Sequence, residues 1–161
     1  MTTDQPIDVA IIGGGPAGYA AAIYAARSNL TTTVIEQGIS GGQIATTNEV
    51  ENYPGIPLLS GAELGERFQQ HAEGLGAQVE WSMVTGVDYD ADAALFTVHH
   101  DMGVTLASSV IACMGATPRP AGFAGEDTYR GRGVSYCATC DGMFFRGKQV
   151  FVIGGGNSAC E

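Results

Sequence analysis

Positive charge is what this chain has least of. Seven Lys and Arg stand against seventeen Asp and Glu, for a formal net charge of −10. A nucleic-acid binder needs a basic face to displace the counterions of its partner, so that class is excluded. The same shortage means that any bound phosphate must be held by backbone N–H groups and helix ends. Long apolar runs are missing too, and nothing approaches the ~18 residues that a membrane span requires. The first residues carry Asp4 and Asp8 in place of positive charge, and the apolar run at 9–12 breaks at three glycines. That pattern argues against a signal peptide. Cysteines number only four, and with no export signal they read as redox or catalytic residues rather than as a disulfide framework. A soluble, acidic, cytoplasmic protein is the expectation, with no nucleic-acid or membrane partner.

What the chain has in quantity is glycine, and its placement is informative. Residues 7–12 form a short β-branched run that leads straight into Gly13-Gly14-Gly15-Pro16-Ala17-Gly18. Such a run predicts a buried parallel strand. Pro16 sits where a helix can begin, and residues 17–27 are alanine-rich and helix-forming up to Ser28-Asn29. A second β-branched run at 31–35 ends at Glu36. Strand, glycine turn, helix, strand and terminal acid make a βαβ unit with a right-handed crossover.

A loop-like stretch follows over residues 38–59, long enough to be read as functional. Ser60 is then an N-cap, and Glu63 three residues on predicts a capping box. Leu64, Phe68, Ala72 and Leu75 recur at helical spacing and are expected to face the core until Gly74 and Gly76 end the helix. Residues 78–88, 93–99 and 104–111 have strand composition and are joined by Asp-rich and Gly-containing turns, which predicts an antiparallel meander. Pro118-Arg119-Pro120 reads as a stiff linker, placing a domain boundary near Thr117. Beyond it come Cys137-Ala138-Thr139-Cys140-Asp141-Gly142, an expected strand at 149–153, and a second glycine loop, Gly154-Gly155-Gly156-Asn157-Ser158-Ala159. The fold class is therefore α/β: a Rossmann-like domain (1–117) with an antiparallel β-meander, then the beginning of a second Rossmann-like domain (118–161) carrying the C-x-x-C.

The first loop has the full dinucleotide-binding context. Gly13 makes the tight turn, Gly15 lets a pyrophosphate approach the backbone, and the helix N-terminus at Pro16, Ala17 and Gly18 supplies partial positive charge. Glu36 would accept hydrogen bonds from a ribose. In the second loop Gly154, Gly156 and Ala159 follow the G-x-G-x-x-A variant.

Cys137 and Cys140 admit three readings. A zinc site needs four ligands, and Cys113, Cys160, His71, His99 and His100 supply no second C-x-x-C and no H-x-x-x-H pair. Two buried structural cysteines would not stand in so polar a segment. A reversible dithiol fits best, because C-x-x-C spacing closes a small disulfide and can lower one thiol's pKa. Cys113 and Cys160 read as packing residues, and the histidines as surface or strand-end residues. Two dinucleotide loops around a dithiol match a flavin that accepts a hydride from a nicotinamide and passes two electrons to a disulfide.

These motifs, together with Tyr19, Gly41-Gly42-Gln43 and Glu49-Val50-Glu51-Asn52-Tyr53-Pro54-Gly55, closely resemble the low-molecular-weight bacterial thioredoxin reductases of the FAD-dependent pyridine nucleotide-disulfide oxidoreductase family. The resemblance runs from Ile7 to the last residue. It implies FAD on the first fold, NADPH on the second (Gly154, Gly156, Asn157, Ser158 and Ala159), thioredoxin as the disulfide substrate, and a homodimer. It further implies that Glu36, Gln37, Gly41, Gly42, Gln43, Asn52 and Gly115 line FAD. By the same resemblance Cys140 faces the flavin, Cys137 attacks the partner disulfide, and Asp141 donates the proton. One departure is Cys113-Met114-Gly115, where the family usually has Ala-Thr-Gly. Measured against the family, the chain stops at the start of the NADPH-binding domain, so these 161 residues alone are expected to be an inactive fragment. The competing readings are a flavin-dependent dithiol oxidase and a non-catalytic partial FAD-binding fragment.

Overall fold

A computed structural model describes residues 5–160, leaving aside the side chains of Thr139, Cys140 and Ser158. The β-branched run forms strand β1 (Ile7–Ile12), and Pro16 opens helix α1 (Pro16–Arg27) at its first turn, where a missing N–H costs nothing. Strand β2 (Thr32–Glu36) returns parallel to β1, pairing Val9 with Thr32 through Ile12 with Ile35. At the mouth of this unit Asp8 and Thr31 are bound reciprocally, the Asp8 Oδ2 accepting from both the N–H and the hydroxyl of Thr31 at 2.7 Å.

Helix α2 (Gly61–Gly74) is capped by Ser60, whose Oγ accepts from the Glu63 N–H at 3.2 Å. Only this half of the expected capping box is seen, because the Glu63 carboxylate pairs instead with Arg67, 2.9 Å away and one turn on. Leu64 and Ala72 are fully buried and Phe68 packs beside them. Leu75, expected on the same face, is the C-cap residue and stands exposed just before the chain turns away. Gly76 (φ 101°) takes the left-handed turn that ends the helix.

The expected single strand at 78–88 is two strands on opposite edges. Strand β3 (Gln78–Trp81) runs parallel to β2, whereas β4 (Val84–Asp90) pairs antiparallel with β5 (Leu95–His100). The break lies at Ser82-Met83, and polar anchors explain it. Ser82 N–H donates to the Glu36 carbonyl at 2.9 Å, while the Ser82 hydroxyl and the Met83 N–H both donate to Asp101 Oδ1, at 2.5 and 2.9 Å. The segment is thereby drawn off the β2 edge towards the end of β5.

Strand β6 (Gly103–Ala112) then joins everything. Its first half pairs antiparallel with β5 and its second half parallel with β1, Ala107 facing both Phe96 and Ile7. The meander is thus continuous with the parallel sheet, in the order β3-β2-β1-β6-β5-β4. Alternation along β1 sorts the core into two layers. Val9 and Ile11 pack with Val34 against Tyr19, Ala22 and Ala26 of α1 and Ala72 of α2. Ala10 and Ile12 pack with Ile35 against Val98 and Ala107 of the meander. Both faces are covered, which is why residues 9–12 are apolar without interruption. The 38–59 stretch packs Val50 and Leu59 with Leu64 of α2 in a small third cluster, and Val50 and Leu59 are joined by paired hydrogen bonds at 2.8 and 3.2 Å.

By contact the chain divides into two compact units, Met1–Gly115 and Ala116–Glu161. The second contains short helices α3 (Glu126–Tyr129), α4 (Ala138–Asp141) and α5 (Asn157–Cys160) and a 3-10 turn, Gly142–Phe145. The strand expected at 149–153 is not formed, and Val150, Phe151, Val152 and Ile153 are all exposed. A strand is held by its ladder, and among the described residues this stretch has no partner strand.

Candidate functional site

The C-terminal ends of β1, β2 and β6 meet at one place, the position at which parallel α/β sheets bind ligands. Ile12 hands on to Gly13 (φ 105°), whose N–H donates to the Ile35 carbonyl at 2.9 Å. A Cβ on Gly13 would lie 2.4 Å from the Cys113 carbonyl oxygen, so the glycine loop rests directly on the end of β6. Gly18 is just as constrained, since its Cβ would fall 1.8 Å from the Gly13 carbonyl oxygen. Between these two tight positions Gly15 is open, and a Cβ there would meet nothing within 4 Å. That open space fits a ligand approaching the backbone closely. Gly15 is also the N-cap of α1, which has neither a side-chain cap nor an acid in its first turn. The positive end of the helix is left to whatever occupies that space. Pro16 and Ala17 are exposed beside it.

Glu36 closes the site from the β2 side. Its carboxylate accepts from the Gly14 N–H at 2.6 Å and from the Gly38 N–H at 2.8 Å, which fixes its orientation. Gly41 N–H donates to the Gly14 carbonyl at 2.8 Å, and a Cβ on Gly42 would approach the Gly15 Cα to 3.4 Å. The structure therefore brings together Gly13, Gly14, Gly15, Gly18, Glu36, Gly41, Gly42 and the Cys113-Met114 backbone. Gln37 and Gln43 are exposed near this cluster in sequence; Asn52 is exposed on the 51–55 segment, and Gly115 (φ 66°) lies just past it on β6's continuation.

Two supports were not anticipated from sequence. Gly61 and Gly65 stand one turn apart on α2, and their Cβ atoms would lie 1.7 Å from the Ile44 carbonyl oxygen and 2.4 Å from the Ser40 carbonyl oxygen. The 40–47 segment lies on the bare helix backbone. Glycine in a helix interior is costly, so Gly65, one turn into α2, was the readable signal. Ser40 is the second support: it hydrogen-bonds the Tyr19 hydroxyl at 2.7 Å and also Gln69, tying α1, the loop and α2 together. Burial pushes the Tyr19 phenol upward, with the Ser40 bond opposing.

In the second unit Cys137 is disulfide-bonded, while Cys113 and Cys160 are free thiols. The Cys140 side chain lies outside the described residues. The motif sits on α4, whose first helical bond runs from the Asp141 N–H to the Cys137 carbonyl at 3.0 Å. Ser135 precedes it, its Oγ accepting from the Cys137 N–H at 3.1 Å and donating to Asp141 Oδ2 at 2.5 Å.

The second glycine loop follows the unpaired stretch 149–153. Gly154 (φ 132°) turns the chain, and the Ala159 N–H donates to the Gly156 carbonyl at 3.0 Å. Asn157 begins α5, and the Ser158 side chain lies outside the described residues. Cys113 is half-buried against the helix-side core, and burial pushes its thiol upward, consistent with a packing role. Cys160 is exposed, contrary to the packing role expected of it. His100 is a strand-end residue, as expected. It is also buried, with Nδ1 2.9 Å from Ser82 Oγ and Nε2 3.1 Å from Thr105 Oγ1.

Fold and site together define a Rossmann-like α/β protein with a glycine-loop cradle in one unit and a C-x-x-C segment in the other. The chain belongs to the family described as pyridine nucleotide-disulphide oxidoreductase, which matches residues 7–161. Among curated relatives it is similar to the thioredoxin reductase of Bacillus subtilis (strain 168), 44% identical over 165 residues, which cover 100% of this chain and 50% of that protein. It is likewise similar to the thioredoxin reductase of Treponema pallidum (strain Nichols), 46% identical over 162 residues, 100% of this chain and 52% of the relative. Among solved structures, thioredoxin reductase from Streptococcus pyogenes MGAS5005 superposes with a TM-score of 0.79 at 42% identity, covering 89% of this chain and 46% of that one. The chain spans about half the length of the relatives it matches.

Proposed function

We propose that the chain forms the flavin-binding and dithiol-bearing part of a thioredoxin-disulfide reductase. In this reading residues 1–117 belong to an FAD-binding domain and residues 118–161 begin an NAD(P)H-binding domain. The open cradle at Gly15 carries the argument, because it adjoins an uncapped helix end and an oriented carboxylate. Gly13, Gly15, Pro16, Ala17 and Gly18 would hold the FAD pyrophosphate with backbone groups, and Glu36 would accept from the ribose. Gln37, Gly41, Gly42, Gln43, Asn52 and Gly115 would complete the FAD site. Gly154, Gly156, Asn157, Ser158 and Ala159 would meet NADPH. Flavin supplies the two-electron transfer between nicotinamide and disulfide. Cys140 would then exchange with the flavin, Cys137 with thioredoxin, and Asp141 would donate the proton. The assembly is a cytoplasmic homodimer in this proposal. NADPH-dependent turnover is expected only from a chain that supplies a partner for residues 149–153, so the 161 residues alone should not reduce thioredoxin.

The roles of the two cysteines are tested in the flavin-loaded full-length reductase. Cys137→Ser leaves a Cys140 thiolate beside oxidised flavin and should produce a long-wavelength charge-transfer band, whereas Cys140→Ser should not. The band in the opposite variant would reverse the roles, and its absence from both would remove the flavin contact.

A further inference from the structure

Ser135 has one hydroxyl proton and two acceptors in reach: Asp141 Oδ2 at 2.5 Å and the Cys137 carbonyl at 3.3 Å. The shorter contact takes the proton. The lone pairs of the same oxygen accept the Cys137 N–H at 3.1 Å, so a single atom holds the residue before α4 and the last side chain of the helix. Asp141 ends α4 and is the N-cap residue of the Gly142–Phe145 turn, but its side chain makes no capping bond there, and the Ser135 hydroxyl holds the carboxylate instead. We propose that Ser135 is a positioning residue for proton delivery, keeping the Asp141 carboxyl over the turn that carries the dithiol. This rests on the proposed role of Asp141 and deepens it.

The proton count is simple. Opening the disulfide to two thiols consumes two electrons and two protons. A two-electron reductant that brings one proton, as reduced flavin does, leaves one sulfur as thiolate. Asp141 gives that sulfur its proton and becomes a carboxylate, and the Ser135 hydroxyl donates to the charge so formed. With an added dithiol as reductant, the same proton goes to the first sulfur to leave.

The test uses the flavin-free chain, in which dithiothreitol reduces the Cys137 disulfide and the rate is read by alkylation and mass spectrometry. Ser135→Ala should slow reduction about tenfold, a fraction of the range that positioned general acids supply. Ser135→Thr, which keeps the hydroxyl, should restore the rate to within about threefold of the unsubstituted chain. In an Asp141→Asn background the Ser135→Ala change should have no further effect, because the two residues act as one unit. Equal slowing by Ser135→Ala in both backgrounds would make Ser135 a support for the residue before α4 only and overturn the proposal. Slowing by Asp141→Asn with none by Ser135→Ala would also overturn it, leaving the proton-donor reading intact. No slowing by Asp141→Asn would overturn both. Ser135 is exposed, so each variant should keep the fold, which circular dichroism checks.

Discussion

The Tyr136 hydroxyl donates to the carboxylate of Glu126, ten residues earlier in the chain, and so anchors the residue immediately before Cys137. The same carboxylate accepts the N–H groups of Ala121 and Gly122 at 2.7 and 2.6 Å, and Arg130 stacks over the Tyr136 ring at 4.9 Å. One acid thus ties the end of the proline-containing stretch to the lead-in of the dithiol segment.

The Glu126 carboxyl is held below its ordinary value, chiefly by the Tyr136 bond and then by the backbone N–H of Ala121. A depressed carboxyl contributes stability that is present above its unfolded value, about 4.3, and is lost as pH falls through the folded one. Exchange of the Ala121 and Gly122 amides should therefore accelerate on acidification below about pH 4, beyond the trend of other amides. Glu126→Gln should show fast exchange already at neutral pH, with little further change in acid. Amide exchange followed by NMR across pH 3–7 (a range set by that reference value) checks both.

Gly15 and Gly18 should separate binding from folding. Gly15 has φ −82°, which any residue adopts, and open space at its Cβ. Gly15→Val is expected to fold normally and to lose flavin, giving colourless protein in the full-length reductase. Gly18→Ala places a methyl 1.8 Å from a backbone oxygen and should cost about 1–3 kcal/mol or more. Urea denaturation and flavin absorbance, measured on both variants, distinguish the two outcomes.

Gly65→Ala inverts the usual helix rule. In an unencumbered helix the change stabilises by about 0.5–1 kcal/mol. Here the methyl would meet the Ser40 carbonyl oxygen at 2.4 Å, so the net effect should be destabilisation of about 1–3 kcal/mol and displacement of the 40–47 segment. A higher urea midpoint for the variant would contradict the close approach.

His100→Ala strips Ser82 and Thr105 of a buried partner and leaves a hole at the end of β5. A loss of about 2–5 kcal/mol is expected, combining unmet hydrogen bonds with the cavity. Thermal unfolding measures it, and a change within about 0.5 kcal/mol would place the histidine among surface residues.

How much of this was readable in the sequence depended on the range of the interaction. The βαβ unit is local: β-branched residues 7–12, the glycines and Pro16 state their own conformations, and Glu36 closes the unit. The same is true of the Ser60 cap. The split of 78–88 was not readable, because it depends on Asp101 accepting from Ser82 and Met83 nearly twenty positions away. The buried state of His100 has the same origin. Residues 149–153 failed in the opposite way: their composition favours a strand, but composition cannot supply the neighbour that a strand requires. At the site, the motif glycines and Glu36 were legible by spacing. Ser135 and Ser40 were not, since a serine declares its acceptors only once the chain is folded.

Strand β6 serves both the meander and the parallel sheet, and this sets a schedule for synthesis. Ile7 leaves the ribosome first, yet its partner Ala107 follows about a hundred residues later. At about 5–20 residues per second, β1 waits roughly 5–20 s with one edge open. Through that interval the nascent chain holds an apolar strand that any passing β-segment could pair with. Expression at reduced temperature or with abundant holdase should therefore raise the soluble yield more than substitutions that strengthen the finished core.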